Sequence, residues 1–175
     1  MKKFVVIFIL FVLPYVTFCQ CVAQLSNDTI IKCGTQTDVH LKLPWRSVSS
    51  NVTNHLNDLF FVNDTDGFIV GTNGLILKTT DKGETFSTLS SGTTETLNSV
   101  FFVTSLKGFC AGNNGILLET TNGGISWSNV SISNLTSHLK AIYFINESVG
   151  YLVGTSGCLY KTSNGGANWV NVAPL

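Results

Sequence analysis

Few side chains in this 175-residue chain could do chemistry, and their spacing limits what that chemistry would be. Cleaving a glycoside takes two carboxyl groups facing one bond, one as acid and the other as base or nucleophile. The nearest approach to such a set is Asp64, Asp66, Asp81 and Glu84, which reads as a solvated cluster; Glu95 follows alone. A planar guanidinium fork is what grips a substrate carboxylate, and Arg46 is the one arginine in the sequence. The histidines, His40, His55 and His138, are too dispersed to read as a metal-ligand motif. Calcium on Asp81 would need several further oxygen ligands from a dedicated loop. No catalytic residue, cofactor or metal is expected.

Most of these residues sit inside a repeat. The phrase "TTDKGETF" (Thr79–Phe86) returns as "TTNGGISW" (Thr120–Trp127) and as "TSNGGANW" (Thr162–Trp169). Asp81 to Asn122 is 41 positions and Asn122 to Asn164 is 42. A steady period of this size marks a repeat architecture. Segments of equal length align without gaps over 56–86, 97–127 and 139–169, and Trp45 fills the aromatic slot ahead of the first unit. His55 and His138 then hold equivalent positions before a first strand. The second unit has Thr96 there, so both read as solvated loop residues.

Each unit reads as four short strands. In the first unit they are 56–62, 68–71, 75–79 and 85–89. The doublets Phe60-Phe61, Phe101-Phe102 and Tyr143-Phe144 place an aromatic ring on each face of the first strand, so both faces must be covered. A single meander is too thin to bury itself, whereas meanders stacked face to face cover one another. The expected fold class is all-β: a partial β-propeller of three four-stranded antiparallel blades. Within the repeated phrase, the short side chains of Asp81, Asn122 and Asn164 can accept hydrogen bonds from amides further along the turn. Gly83, Gly124 and Gly166 can take a left-handed conformation, and Phe86, Trp127 and Trp169 can pack beneath it. That accounts for the repetition by hairpin construction alone.

These residues resemble the Asp-box, or BNR repeat. The longer pattern runs G-[FY]-x-x-G-x-x-G into T-[TS]-[DN]-x-G-x-x-[WF] and resembles the repeats of the photosystem II assembly and stability factor family. Similar repeats are common in secreted bacterial proteins. The resemblance implies a propeller scaffold. It also brings two functions to weigh. Sialidases on this scaffold use an arginine cluster, a Tyr/Glu pair and an acidic acid/base. The photosystem assembly factors are said to hold their client on a basic, arginine-bearing surface. With Arg46 alone, neither carries over.

The strand order sorts the loops onto two rims. The Asp-box turn shares one with the loop between strands one and two. The turn between strands two and three shares the other with the inter-blade linkers, 50–55, 91–96 and 131–138, and the resemblance implies that this is the ligand face. Its candidate contacts are Asn73, Asn114 and Ser156, and Glu95 is its one carboxylate. Hydroxyls and amides suit a protein or a glycan as partner. The function expected is an exported, non-catalytic binding or interaction module; the alternatives are a sialidase-like glycoside hydrolase remnant and a surface adhesion fragment.

A formal net charge of zero with 11% charged residues gives no basic face for nucleic acid. Lys2 and Lys3 before the apolar run 4–13 read as a signal peptide over 1–23, cleaved after Ala23, with a leader over 24–44 and repeats over 45–175. The chain is then exported (secreted, periplasmic or at the cell surface) with no membrane contact after cleavage. Lipidation at Cys19 or Cys21 is the rival, although Phe18 and Gln20 stand where small residues are needed. Cys33, Cys110 and Cys158 read as buried thiols, with a Cys110–Cys158 bridge as the alternative. Three blades fall short of the four or more of natural propellers. A truncated larger array, a homodimer closing a six-bladed ring, or a partner over the open faces would each resolve this; truncation is favoured.

Overall fold

The computed structural model describes residues 47–172, and before them the backbone of three strands. Those three are β1 (Val22–Gln24), β2 (Thr29–Cys33) and β3 (Thr37–Leu41), an antiparallel meander in a unit of its own. The rest of the expected signal peptide, Trp45 and Arg46 lie outside the described residues; β1 spans the expected cleavage point after Ala23.

The second unit is three four-stranded antiparallel sheets, each in chain order. Blade 1 comprises β4 (Leu56–Phe61), β5 (Gly67–Gly71), β6 (Ile76–Thr79) and β7 (Ser87–Leu89). Blade 2 comprises β8 (Leu97–Phe102), β9 (Gly108–Gly112), β10 (Leu117–Thr120) and β11 (Ser128–Asn129). Blade 3 comprises β12 (Leu139–Phe144), β13 (Gly150–Gly154), β14 (Leu159–Thr162) and β15 (Val170–Asn171). This is the all-β partial propeller. The fourth strands start later than 85–89 and its equivalents, because the amide of Thr85 is still bonded to Asp81 inside the turn.

Two apolar layers hold the blades together. Between blades 1 and 2, Phe68, Val70 and Ile76 meet Leu97, Val100, Phe102, Cys110 and Leu118. Between blades 2 and 3, Phe109, Ala111 and Leu117 meet Leu139, Ile142, Phe144, Leu152 and Tyr160. The aromatic doublets divide as the period of two requires: Phe101 faces blade 3, against Tyr143 and Phe144, while Phe102 faces blade 1, stacked on Phe68 at 4.4 Å. Each fully buried side chain of this size contributes about 1.5–3 kcal/mol. A bulge after the first residue of β4, β8 and β12 shifts the register the same way in all three blades.

Cys110 lies in the first layer and Cys158 in the second; both are free and buried. Burial pushes both thiols up, so each is a small apolar residue here.

Candidate functional site

The turns occupy two rims, tied together by backbone hydrogen bonds. On one, the Asp-box turn bonds the loop between strands one and two: Lys82 N to Thr65 O, Gly123 N to Leu106 O and Gly165 N to Ser148 O. On the other, the turn between strands two and three bonds the linkers: Thr72 N to His55 O, Gly74 N to Glu95 O, Asn113 N to Thr96 O and Gly115 N to Ser137 O.

Each Asp-box turn is built around a buried threonine. Thr79 Oγ1 donates to Asp81 Oδ1 at 2.8 Å and accepts from Gly83 N at 2.9 Å. Thr120 does the same with Asn122 and Gly124, both at 2.9 Å, and Thr162 with Asn164 and Gly166, both at 2.9 Å. The carboxylate or amide oxygen then accepts from the amide four residues on, Thr85, Ser126 or Asn168. Gly83, Gly124 and Gly166 have φ of 85°, 77° and 91°, the left-handed region that favours glycine. Trp127 stands edge-on to Phe68 and Phe102, and Trp169 to Phe109 and Phe144; neither indole N–H has a hydrogen-bond partner. Phe86 is half-buried. The threonine hydroxyl escaped the sequence reading, although its signal was present: the first threonine of the phrase is identical in all three copies, while the second becomes Ser163 in the last.

Asp81 is the one carboxylate at the position that Asn122 and Asn164 fill in the other two turns. The Thr85 hydroxyl at 2.6 Å, then the Thr85 amide and the Thr79 hydroxyl, pull its pKa down to about 2. All of these bonds stay within the turn. Asp64 and Asp66 lie on the neighbouring loop, where Asp66 accepts from Asn63 and Thr65. Such a group holds a loop in shape.

On the other rim, Asn73, Asn114 and Ser156 are exposed at matching positions, with φ of 58°, 53° and 56°. A short polar side chain at each is what a left-handed backbone favours among non-glycine residues. The middle of the rim is the most connected. Asn114 Nδ2 donates to Glu95 Oε2 at 2.9 Å, and Asn114 N donates to His138 Nδ1 at 3.1 Å. The structure thus joins Glu95, Asn114 and His138. It leaves His55 in a separate backbone role, its amide bonding Thr72 Oγ1, just as His138 N bonds Thr155 Oγ1. Beside Asn73, a shallow groove of ≈ 680 Å³ runs along Thr88–Glu95, lined by hydroxyls and one carboxylate. Among the described residues, no three of His, Cys, Asp and Glu converge as metal ligands would.

A family model described as Photosynthesis system II assembly factor YCF48 matches residues 37–173. Among curated proteins, the chain is similar to the Photosystem II assembly lipoprotein Ycf48 of Prochlorococcus marinus. The two are 40% identical over 52 residues, which is 30% of this chain and 15% of that protein. Among solved structures, it is similar to YCF48 bound to D1 peptide: TM-score 0.67, 28% identity, 74% of this chain and 44% of the other. An ancestral GH74 enzyme, 20% identical over 69% of this chain and 19% of its own with TM-score 0.57, shares the fold alone. The chain spans less than half the length of each of these relatives.

Proposed function

Since the chain belongs to the Photosynthesis system II assembly factor YCF48 family, we propose that it is a non-catalytic propeller module. It binds a protein segment along the rim of Asn73, Asn114 and Ser156. The observation that carries this reading is the repetition of exposed amides and hydroxyls across three adjacent blades beside a hydroxyl-lined groove. Such groups pair with the amides of an extended peptide without needing charge. The rim's single carboxylate, Glu95, already accepts from Asn114, and no second acid on that rim faces it as glycoside hydrolysis requires. The linkers carry no Phe, Tyr or Trp on which a sugar face could stack, which favours a peptide over a glycan. The solved relative holds a D1 peptide. For this chain the ligand class is a peptide, and its sequence is open to measurement.

An array of unstructured peptides probed with the wild type and with Asn114→Ala/Ser156→Ala is the direct test. The reading expects a subset of spots to be lost in the variant and retained in Glu84→Gln on the opposite rim. Turnover of a fluorogenic glycoside that disappears in Glu95→Gln would replace it with the hydrolase reading.

Export belongs to the same proposal. It is supported by the lysine-led apolar run of residues 4–13 and by a relative named as a lipoprotein. Intact-mass measurement of the mature protein distinguishes a chain beginning at Gln24 from one acylated at Cys19 or Cys21.

A further inference from the structure

Asparagine followed by glycine is the dipeptide most prone to lose its side-chain amide. The glycine nitrogen attacks the asparagine Cγ, and no Cβ on the glycine shields that approach. The sequence holds four such pairs: Asn73-Gly74, Asn114-Gly115, Asn122-Gly123 and Asn164-Gly165. At Asn114 the turn itself demands the pair. Residue 114 is left-handed, with φ of 53°, which favours asparagine among residues that have a side chain. Residue 115 is left-handed as well, with φ of 71°, and a Cβ there would run into the backbone oxygen of Leu135. The close approach of the linker between blades 2 and 3 thus requires a glycine, and a labile dipeptide stands at an exposed corner between two internal blades.

Three features keep that dipeptide inert in the folded protein. Gly115 N, the nucleophile, donates to Ser137 O at 3.0 Å, so the proton it must lose before attacking is held. Closing a five-membered ring also needs Cβ and the next nitrogen on the same side of the Cα–C bond. At a ψ of 33° for Asn114 they lie on opposite sides. Finally, residue 114 is fixed at two points: Nδ2 donates to Glu95 Oε2 at 2.9 Å, and its backbone N donates to His138 Nδ1 at 3.1 Å. Ser137, Glu95 and His138 all belong to the flanking linkers. Apart from the backbone twist, the restraint therefore comes from outside the turn, and local opening of the linkers releases it.

We propose that Asn114 is a self-modification site gated by the linker between blades 2 and 3. When that linker lifts and the backbone turns, Gly115 N gives its proton to solvent and bonds to Asn114 Cγ, and ammonia leaves. The resulting succinimide takes up water at one of its two carbonyls, giving aspartate or isoaspartate. One ammonia leaves and one water enters, so no further reagent is needed. Either product puts a carboxylate where the amide donated to Glu95. A carboxylate has no proton to donate, and two like charges so close repel. The link from Glu95 through Asn114 to His138 is then cut, and it does not re-form, because the amide nitrogen is gone. Loss of peptide binding at the middle of the rim follows from the peptide reading; the modification itself does not depend on it.

Wild type and His138→Ala are held in mildly alkaline buffer, each with and without urea. Tandem mass spectrometry of proteolytic fragments follows the exchange of amide for acid at each asparagine. In folded wild type, conversion at Asn114 is expected to be slower than in urea by about tenfold or more. His138→Ala removes the acceptor of Asn114 N and is expected to speed Asn114 severalfold. Asn122 is the internal reference, since Gly123 N is tied to Leu106 O within its own blade, and its rate is expected to hold. Equal rates at Asn114 with and without urea overturn the proposal. So does a rate at Asn114 that His138→Ala leaves unchanged, or a rise that Asn122 shares equally, which would assign the protection to the fold as a whole. These rates are read without any ligand, so a failed peptide array leaves them standing, and failed rates leave the peptide reading standing.

Discussion

A methyl group placed on Gly83, in the Asp-box turn of blade 1, would meet Phe86 at 3.6 Å and Phe61 at 3.8 Å, ordinary contacts. The same methyl on Gly124, in blade 2, would meet the ring of Phe68 at 2.4 Å, and on Gly166, in blade 3, the ring of Phe109 at 2.5 Å. The internal bonds of the three turns are nearly identical. What differs is the aromatic ring that a preceding blade lays over the turn. The hydrogen-bonded turn is local and is built by its own residues, whereas its burial is lent by a neighbour. One phrase of sequence therefore carries two different energetic weights, and substitutions at matched positions can measure the gap.

The largest gap is expected at the aromatic of the inner strand. Phe102 is 4% exposed between two blades, and Phe102→Ala should cost about 3–5 kcal/mol. Phe61, its counterpart, is 45% exposed, and Phe61→Ala should cost about 1 kcal/mol. Urea unfolding followed by tryptophan fluorescence compares the two. Equal costs would mean that the blade 1 face is covered in solution.

The glycines come next. Gly83→Ala meets only the left-handed backbone penalty, about 1 kcal/mol. Gly124→Ala adds overpacking against Phe68, for about 3 kcal/mol in all. Phe68→Leu in the Gly124→Ala background should give back part of that, a coupling that independent sites would not show. If the two glycine variants unfold at the same urea concentration, the covering ring is not what separates the turns.

A smaller gap is expected at the threonine. Thr120→Val leaves the buried Gly124 amide without a partner, for about 1–3 kcal/mol. Thr79→Val leaves the half-exposed Gly83 amide, which water can reach, for about 1 kcal/mol. Thr→Ser at either position keeps the hydroxyl and should recover most of the loss, which distinguishes the hydrogen bonds from the packing of the methyl.

These contrasts also mark how far the sequence could be read. The blades and their strands were legible because the spacing of Asp81, Asn122 and Asn164 and the glycines between strands are local facts. The division of Phe101 and Phe102 between faces follows from the period of a strand. Burial was not legible: Leu56, Leu97 and Leu139 are the same residue in the same slot, yet the first is 43% exposed and the others 0%. No property of a leucine says whether another blade stands in front of it. The rim was half legible. Asn73 and Asn114 drew notice as ligand contacts, while their left-handed backbone supplies a structural reason for an asparagine that no single position reveals. The link from Glu95 through Asn114 to His138 joins residues 43 positions apart, and only the stacking of blades 2 and 3 brings them together.

The smallest expected effect is electrostatic. Asp81 has its pKa lowered from 3.8 to about 2 by bonds that favour the charged form. A lowered carboxyl stabilises the fold above its ordinary pKa, and the contribution is lost as pH falls from about 4 toward about 2. The turns of blades 2 and 3 carry amides and have no such dependence. In Asp81→Asn the thermal midpoint should therefore fall less steeply across that window than in the wild type, with little change at neutral pH. Asn122→Asp should have the opposite effect: Ser126 can donate to the new carboxylate as Thr85 does to Asp81, adding an acid limb to blade 2. Because Gly124 in that turn lies under Phe68, the added limb should be at least as steep as that of blade 1. A shallower limb in Asn122→Asp would show that the overlying ring opposes the charge, and would reverse the ranking of the two turns for this one interaction.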